Sequence, residues 1–155
     1  MTQNPHLDVV TQFYDTHPIS EQQVLKSLAQ DGVDLSSLDQ GTLQNYDQDH
    51  FGGPAATDAL AHLANIGQSD HVIDVCCGLG GPGRYLAYHY GCRVTGIDLN
   101  WNRIDGARRL TGRVGLEDQV SFQHANALDN KLSGNAFDAL IAQEAFCQFP
   151  TNRDS

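Results

Sequence analysis

Residues 72–87, VIDVCCGLGGPGRYLA, constrain the fold more than any other stretch of this 155-residue chain, because they spell strand, glycine turn and helix in immediate succession. Val72, Ile73 and Val75 form a short β-branched run suited to a buried parallel strand, with Asp74 as its one polar member. Gly78, Gly80, Gly81 and Gly83 remove side chains where the backbone has to turn sharply and approach a ligand. Pro82 fits the first helical turn, residues 84–90 continue the helix, and Gly91 stops it. Such a turn aims free amides at an anion; by itself it makes a nucleotide-site hypothesis and no more.

The rest of the chain is placed around that unit. Leu7, Val10 and Phe13 suggest a short first helix over 5–14 with those residues on one side. Ser20 and Gln23 make a capping box for a second, with Val24, Leu25 and Leu28 at helical spacing and Gly32 as the stop. Leu35, Leu38 and Leu43 suggest one more helical turn, NYDQDHFGG reads as a loop, and 55–66 as a helix begun by Pro54. Downstream, strands are expected at 93–99, 120–123 and 136–142, with a helix at 101–110. This alternation requires crossover connections, so the expected fold is α/β: a Rossmann-like, doubly wound, mostly parallel sheet. Residues 1–53 then form a helical N-terminal lid segment, and 54–155 the nucleotide-binding domain. After the fourth strand too few residues remain for another crossover, so the sheet reads as truncated, with the fourth strand beside the first as an exposed apolar edge.

Charge narrows the partners. The formal net charge of −10 argues against a nucleic-acid backbone or an anionic membrane as partner. Six basic residues lie between positions 84 and 113, without aromatic interleaving, and read as helix-surface charges. No apolar run reaches membrane-span length, the polar start MTQNPHLD lacks signal-peptide character, and no cysteine pair has metal or redox spacing. A cytoplasmic protein with buried free thiols and no metal is the expectation.

Gly78, Gly80 and Gly83 match GxGxxG, and Asp98 stands where that fingerprint wants a ribose-binding acid. A carboxylate there serves any adenosine ligand. Asp74 separates the options, since an acid beside the turn repels a pyrophosphate and suits a ligand carrying an ammonium and a sulfonium.

These residues resemble the class I S-adenosylmethionine-dependent methyltransferases, whose first motif is an acid followed by alternating glycines: here Asp74-Val75-Cys76-Cys77-Gly78-Leu79-Gly80-Gly81. GIDL, with Asp98 and Leu99, looks like the family's ribose-binding strand end, and Arg103 stands where a side chain covers ribose or adenine. HANAL, with Asn126 and Ala127, looks like the adenine loop. FDALIAQEAFCQFP looks like the fourth-strand motif, whose Gln143 and Glu144 flank the methyl-transfer site. DQDHFGGPAATDALA resembles the lid and first helix of small-molecule methyltransferases, including those of glycine and sarcosine. Three departures stand out: Cys76 sits where glycine is usual and must adopt a conformation a side chain tolerates, Asn126 replaces an aspartate, and Gln148 stands where a histidine is common.

The resemblance implies S-adenosyl-L-methionine as cofactor, held by Asp74, Cys76, Cys77, Gly78, Gly80, Gly81, Asp98, Leu99, Arg103, Asn126, Ala127 and Gln143. It also implies a small-molecule methyl acceptor, an amine among the options. Methyl transfer from a sulfonium is an in-line displacement that asks for alignment and water exclusion, with a base needed only for hydroxyl or carbon acceptors. Glu144 and His50 are the catalytic candidates, and both join Tyr46 as candidate acceptor contacts; for His50 a solvated loop histidine is an equal alternative, and for Tyr46 packing is the favoured one. Three readings stay open in order of preference: a methyltransferase, a non-catalytic or truncated cofactor-binding module, and a nicotinamide-type oxidoreductase. Pairing of two chains through the fourth strand is the expected route to a homodimer.

Overall fold

The computed structural model describes residues 5–17, 19–129, 132 and 136–149. β1 (His71–Val75), β2 (Arg93–Asp98), β3 (Val120–His124) and β4 (Ala139–Ile141) form one sheet in the order β3-β2-β1-β4, every pair parallel. The chain builds outward from β1 on one side and returns to its other side, which leaves the expected switch point beyond the carboxyl ends of β1 and β4.

Helix α5 (Gly81–Tyr90) follows β1 and α6 (Trp101–Arg113) follows β2. Gly80 caps α5 at φ 77°, Pro82 sits in its first turn, and Gly91 ends it at φ 70° with its amide donating to the Ala87 carbonyl at 3.0 Å. Strand alternation gives each face of β1 its own apolar set. Val72 joins Leu86, Ala87, Val94, Ile104 and Phe122 on the side that α5 and α6 cover. Ile73 and Val75 pack with Ile97 on the other face, against Ala125, Ala127, Phe137 and Phe149.

The N-terminal helices build a further apolar cluster. In α2 (Glu21–Gln30) the Ser20 hydroxyl accepts from the Gln23 amide at 3.3 Å, and Val24 and Leu28 pack against Leu79 and Leu110. Helix α1 (Pro5–Asp15), the short α3 (Gln40–Leu43) and α4 (Gly53–Leu63) complete the layer. No helix among the described residues is long and apolar enough to cross a membrane.

Several expectations need correction. Phe13 does not join Leu7 and Val10; it is 55% exposed, and Tyr14 takes the inward position. The single turn expected from Leu35 to Leu43 is two pieces, a 3₁₀ turn Leu35–Ser37 and α3. Each has its own cap: Asp34 accepts from the Ser36 amide and Asp39 from the Thr42 amide, both at 2.9 Å. β4 is shorter than the 136–142 expected, because only Ala139, Leu140 and Ile141 find partners on β1. Cys76 and Cys77 lie past the end of β1, in the turn. All four cysteines are free, yet only Cys77 and Cys92 are buried; Cys76 is half-buried and Cys147 exposed.

The largest correction concerns the arginines. Arg84 is fully buried and Arg103 nearly so, whereas Arg93, Arg108, Arg109 and Arg113 are surface charges as expected.

Candidate functional site

A cavity of about 220 Å³ opens at the carboxyl ends of β1, β2 and β4, between the sheet, α1 and the 47–52 loop. Its floor is the turn after β1. Cys76 takes φ 60° there and Gly78 φ 54°; at β4's end Glu144 takes φ 55°. A side chain in this left-handed region costs about 1–2 kcal/mol, so two strained non-glycine residues flank one cavity.

Asp74 is 2% exposed and its Oδ2 has no hydrogen-bond partner. Burial first, then the charge of Asp98, pushes its carboxyl up to about 7, opposed in part by Arg84 and the Gly83 amide. A buried, unpartnered acid in a cavity wall suits a cation brought in by a ligand. Burial likewise pushes the Cys76 thiol up to about 12, so it is a neutral wall atom and no nucleophile.

Asp98 holds the turn from the other side. Its Oδ2 accepts from the Gly78 amide at 2.9 Å and its Oδ1 from the Asn100 amide at 2.8 Å. Each oxygen keeps a lone pair, the number two vicinal hydroxyls require. Arg103 reaches in from α6 beneath Gly78, pairs with Asp49 and lies 5.0 Å over the Tyr14 ring. Its Nε and Nη1 are buried without hydrogen-bond partners, on a side chain that lines the cavity.

The loop over the cavity is pinned at every residue from 47 to 51. Asp47 pairs with Arg84 at 2.7 Å with neither side chain exposed, and Asp49 pairs with Arg103. Gln48 and His50 bridge towards β4's end, and the Phe51 amide donates to Glu144 Oε1 at 2.7 Å. Gly81 makes this fit possible, since a Cβ there would stand 2.4 Å from the Asp47 carbonyl oxygen. Gly81→Ala is expected to cost about 1–3 kcal/mol by overpacking and to displace the loop. Faster amide hydrogen exchange at residues 47–52 is the readout, and an unchanged exchange pattern contradicts this placement.

Of the residues singled out in the sequence, Asp74, Cys76, Cys77, Gly78, Gly81, Asp98, Leu99, Arg103, Asn126, Ala127, Gln143, Glu144 and His50 line the cavity. Gly80 and Tyr46 do not. Gly80 lies behind the turn against the Phe122 ring, where a Cβ would come within 2.4 Å. Tyr46 turns outward to the α2 cluster and donates to Asp31 at 2.8 Å, so it has the packing role favoured for it, against the N-terminal helices in place of the acceptor. His50 is no free loop histidine: Nε2 is 3.1 Å from Gln48 Oε1, and Nδ1 is 3.1 Å from both Gln143 Nε2 and the Phe51 carbonyl. Missed altogether were Tyr14, Asp47, Asp49, Thr57 and Arg84. Tyr14 had a signal, standing one heptad after Leu7; the others are polar residues whose partners lie far away in sequence. Among the described residues no cluster could hold a metal ion.

Comparison with known proteins gives one family match, to a model described as a methyltransferase domain, over residues 72–155. The sterol 24-C-methyltransferase of Eremothecium gossypii is 39% identical over 92 residues, 59% of this chain and 25% of that protein. The chain spans about a quarter of the length of the curated relatives it matches. Among solved structures, Phospholethanolamine N-methyltransferase 2 of Haemonchus contortus aligns with TM-score 0.66 and 17% identity, covering 89% of this chain and 29% of that one. The geranyl diphosphate C-methyltransferase of Streptomyces coelicolor aligns with TM-score 0.62 and 18% identity, covering 91% and 54%. Both were solved with S-adenosylhomocysteine, and at these identities they show the fold alone.

Proposed function

The chain belongs to the methyltransferase-domain family, and from that membership we propose that it binds S-adenosyl-L-methionine for methyl transfer to a small-molecule acceptor, with residues 1–53 as its lid segment and 54–155 as its cofactor-binding part. One observation carries the reading: Asp74, buried with Oδ2 unpartnered, stands in the same cavity as Asp98, which retains capacity for two hydroxyls. A nicotinamide dinucleotide does not match the acid at the turn, since its pyrophosphate needs amides and no carboxylate.

When bound, S-adenosylmethionine supplies an electrophilic methyl group on a sulfonium. The chain's own residues do the rest. Asp74 accepts the cofactor's ammonium, Asp98 its ribose hydroxyls, and Arg103 covers the ribose and adenine edge, with Asn126 accepting from the adenine amino group. The 47–52 loop and α1 exclude water, which favours a displacement whose charge is dispersed at the transition state. Glu144, three residues beyond β4 with Oε1 accepting from the Phe51 amide, is the residue we assign to the acceptor. Among the acceptor classes left open, a carbon acceptor is favoured over an amine, because sterol 24-C-methyltransferases recur among the similar curated proteins and α1 brings Leu7 and Val10 to the cavity wall. Glu144 then serves as the group that removes a proton or steadies positive charge.

Titration calorimetry tests the reading. Wild-type chain is expected to bind S-adenosylhomocysteine, and Asp98→Ala to bind about tenfold to a hundredfold more weakly, the worth of charge-assisted hydrogen bonds to ribose. No heat with S-adenosylmethionine or S-adenosylhomocysteine, alongside binding of a nicotinamide dinucleotide, rejects it.

A further inference from the structure

We propose that His50 is a positioning residue and no general base: a hydrogen-bond chain beginning at Asp47 holds it as the Nε2–H tautomer, and in that form it fixes the Gln143 amide at the methyl-transfer end of the cavity. The inference rests on reading the cavity as a methyl-transfer site. For a neutral imidazole the polarity of the chain follows from donor and acceptor counting.

Asp47 is a carboxylate whose Oδ2 accepts from the Arg84 guanidinium at 2.7 Å. Its Oδ1 lies 2.8 Å from Gln48 Nε2, and a carboxylate only accepts, so the Gln48 amide must present nitrogen to Asp47 and oxygen to His50. Gln48 Oε1, 3.1 Å from His50 Nε2, then requires a proton on that nitrogen. In the neutral ring Nδ1 becomes the acceptor, and Gln143 Nε2, 3.1 Å away, donates to it. Gln143 Oε1 therefore faces Thr57, whose hydroxyl donates to it at 3.0 Å. Thr57 Oγ1 also lies 3.4 Å from His50 Nε2 and offers a lone pair to the same proton. The Phe51 carbonyl also lies 3.1 Å from Nδ1 and, being an acceptor, makes no hydrogen bond to that nitrogen in this tautomer.

The chain ties four parts of the fold together. Arg84 belongs to α5, residues 47–50 to the loop, Thr57 to α4, and Gln143 to β4's end. The outcome at Gln143 is specific: one amide hydrogen and one carbonyl lone pair are spent, leaving the other hydrogen and the other lone pair for a ligand in the cavity. His50, with both nitrogens committed and its basic one covered by Gln143, has no lone pair to take a proton from an acceptor. Proton removal, where an acceptor requires it, falls to Glu144.

The test pairs a spectroscopic signature with a binding measurement on the full 155-residue chain. A side-chain imidazole proton normally exchanges with water too fast to observe, whereas one buried in this chain of bonds gives a resolved ¹⁵N-coupled resonance. Wild type is expected to show it, assigned by its loss in His50→Asn, and Gln48→Leu to abolish it. Thr57→Val, which keeps the shape and removes the donor to Gln143, is expected to weaken S-adenosylhomocysteine binding about fivefold, the worth of one hydrogen bond, while Thr57→Ser restores it. Absence of the resonance in wild type, its survival in Gln48→Leu, or equal binding by the two Thr57 variants overturns the proposal. If the resonance behaves as expected but wild type binds no S-adenosylhomocysteine, the tautomer assignment stands and the cofactor reading fails.

Discussion

Arg84→Met is expected to destabilise the chain by about 3–5 kcal/mol, the cost of leaving one member of a buried ion pair without its partner. Against the 5–15 kcal/mol typical of whole domains, that is a large fraction. The reason is visible in what Arg84 satisfies. Nη2 donates to Asp47 Oδ2 and to the Leu79 carbonyl, both at 2.7 Å, and Nη1 to Thr111 Oγ1 at 2.9 Å and the Ala107 carbonyl at 3.2 Å. One fully buried guanidinium thus joins the glycine turn, the loop and α6. Methionine fills the volume but orphans Asp47, which is 1% exposed. The double variant Arg84→Met/Asp47→Leu is expected to recover most of the lost stability, since an apolar pair carries no desolvation penalty. It will not recover the loop's position, because Gln48 loses its acceptor. Urea unfolding of the two single variants and the double gives the coupling energy directly. A single-variant cost below about 1 kcal/mol contradicts a buried, charged pair.

That pair also marks the limit of what the chain's letters disclose. The strand, turn and helix around residues 72–91 were legible because glycine, proline and β-branched residues act over a few neighbouring positions. Asp98 was legible because a parallel β-α-β unit fixes the distance from first glycine to second strand end. Arg84 was not, since it stands in a helix with other basic residues nearby, and its partner lies 37 positions upstream in a loop of irregular structure. Nothing in the local sequence separates an arginine that faces water from one that finds a carboxylate across the fold. Tyr46 shows the same limit: nearness to His50 made it a candidate acceptor contact beside the favoured packing role, and the direction that decides between them depends on the turn it sits in, which sends it to Asp31. Cys76 lay between these cases. The need for an unusual backbone was readable from the glycine it replaces, and φ 60° meets it.

The apo chain's stability is expected to fall as pH rises from about 4 to 8, by about 4 kcal/mol in all, through Asp74 alone. Its carboxyl titrates at about 7 in the fold against 3.8 in the unfolded chain. The folded state therefore holds a proton that the unfolded state has released. The benefit of that proton is complete below the unfolded value and is lost as pH climbs through the folded one, opposite to the usual behaviour of a salt-bridged acid. Asp74→Asn, neutral throughout, is expected to flatten this slope and to be the more stable protein near pH 8. Binding reverses the balance. A ligand ammonium beside Oδ2 favours the anion, so S-adenosylhomocysteine binding at pH 6 is expected to release close to one proton and at pH 8.5 almost none. The same variant is expected to bind about a hundredfold more weakly at neutral pH, the loss of a hydrogen bond between two charged groups in a dry site. Calorimetry in two buffers of different ionisation enthalpy counts the protons. A pH-independent proton count of zero would falsify the pairing of Asp74 with a cationic ligand group, whereas a stable Asp74→Asn chain that binds poorly shows the fold giving up stability at one buried carboxyl to create its site.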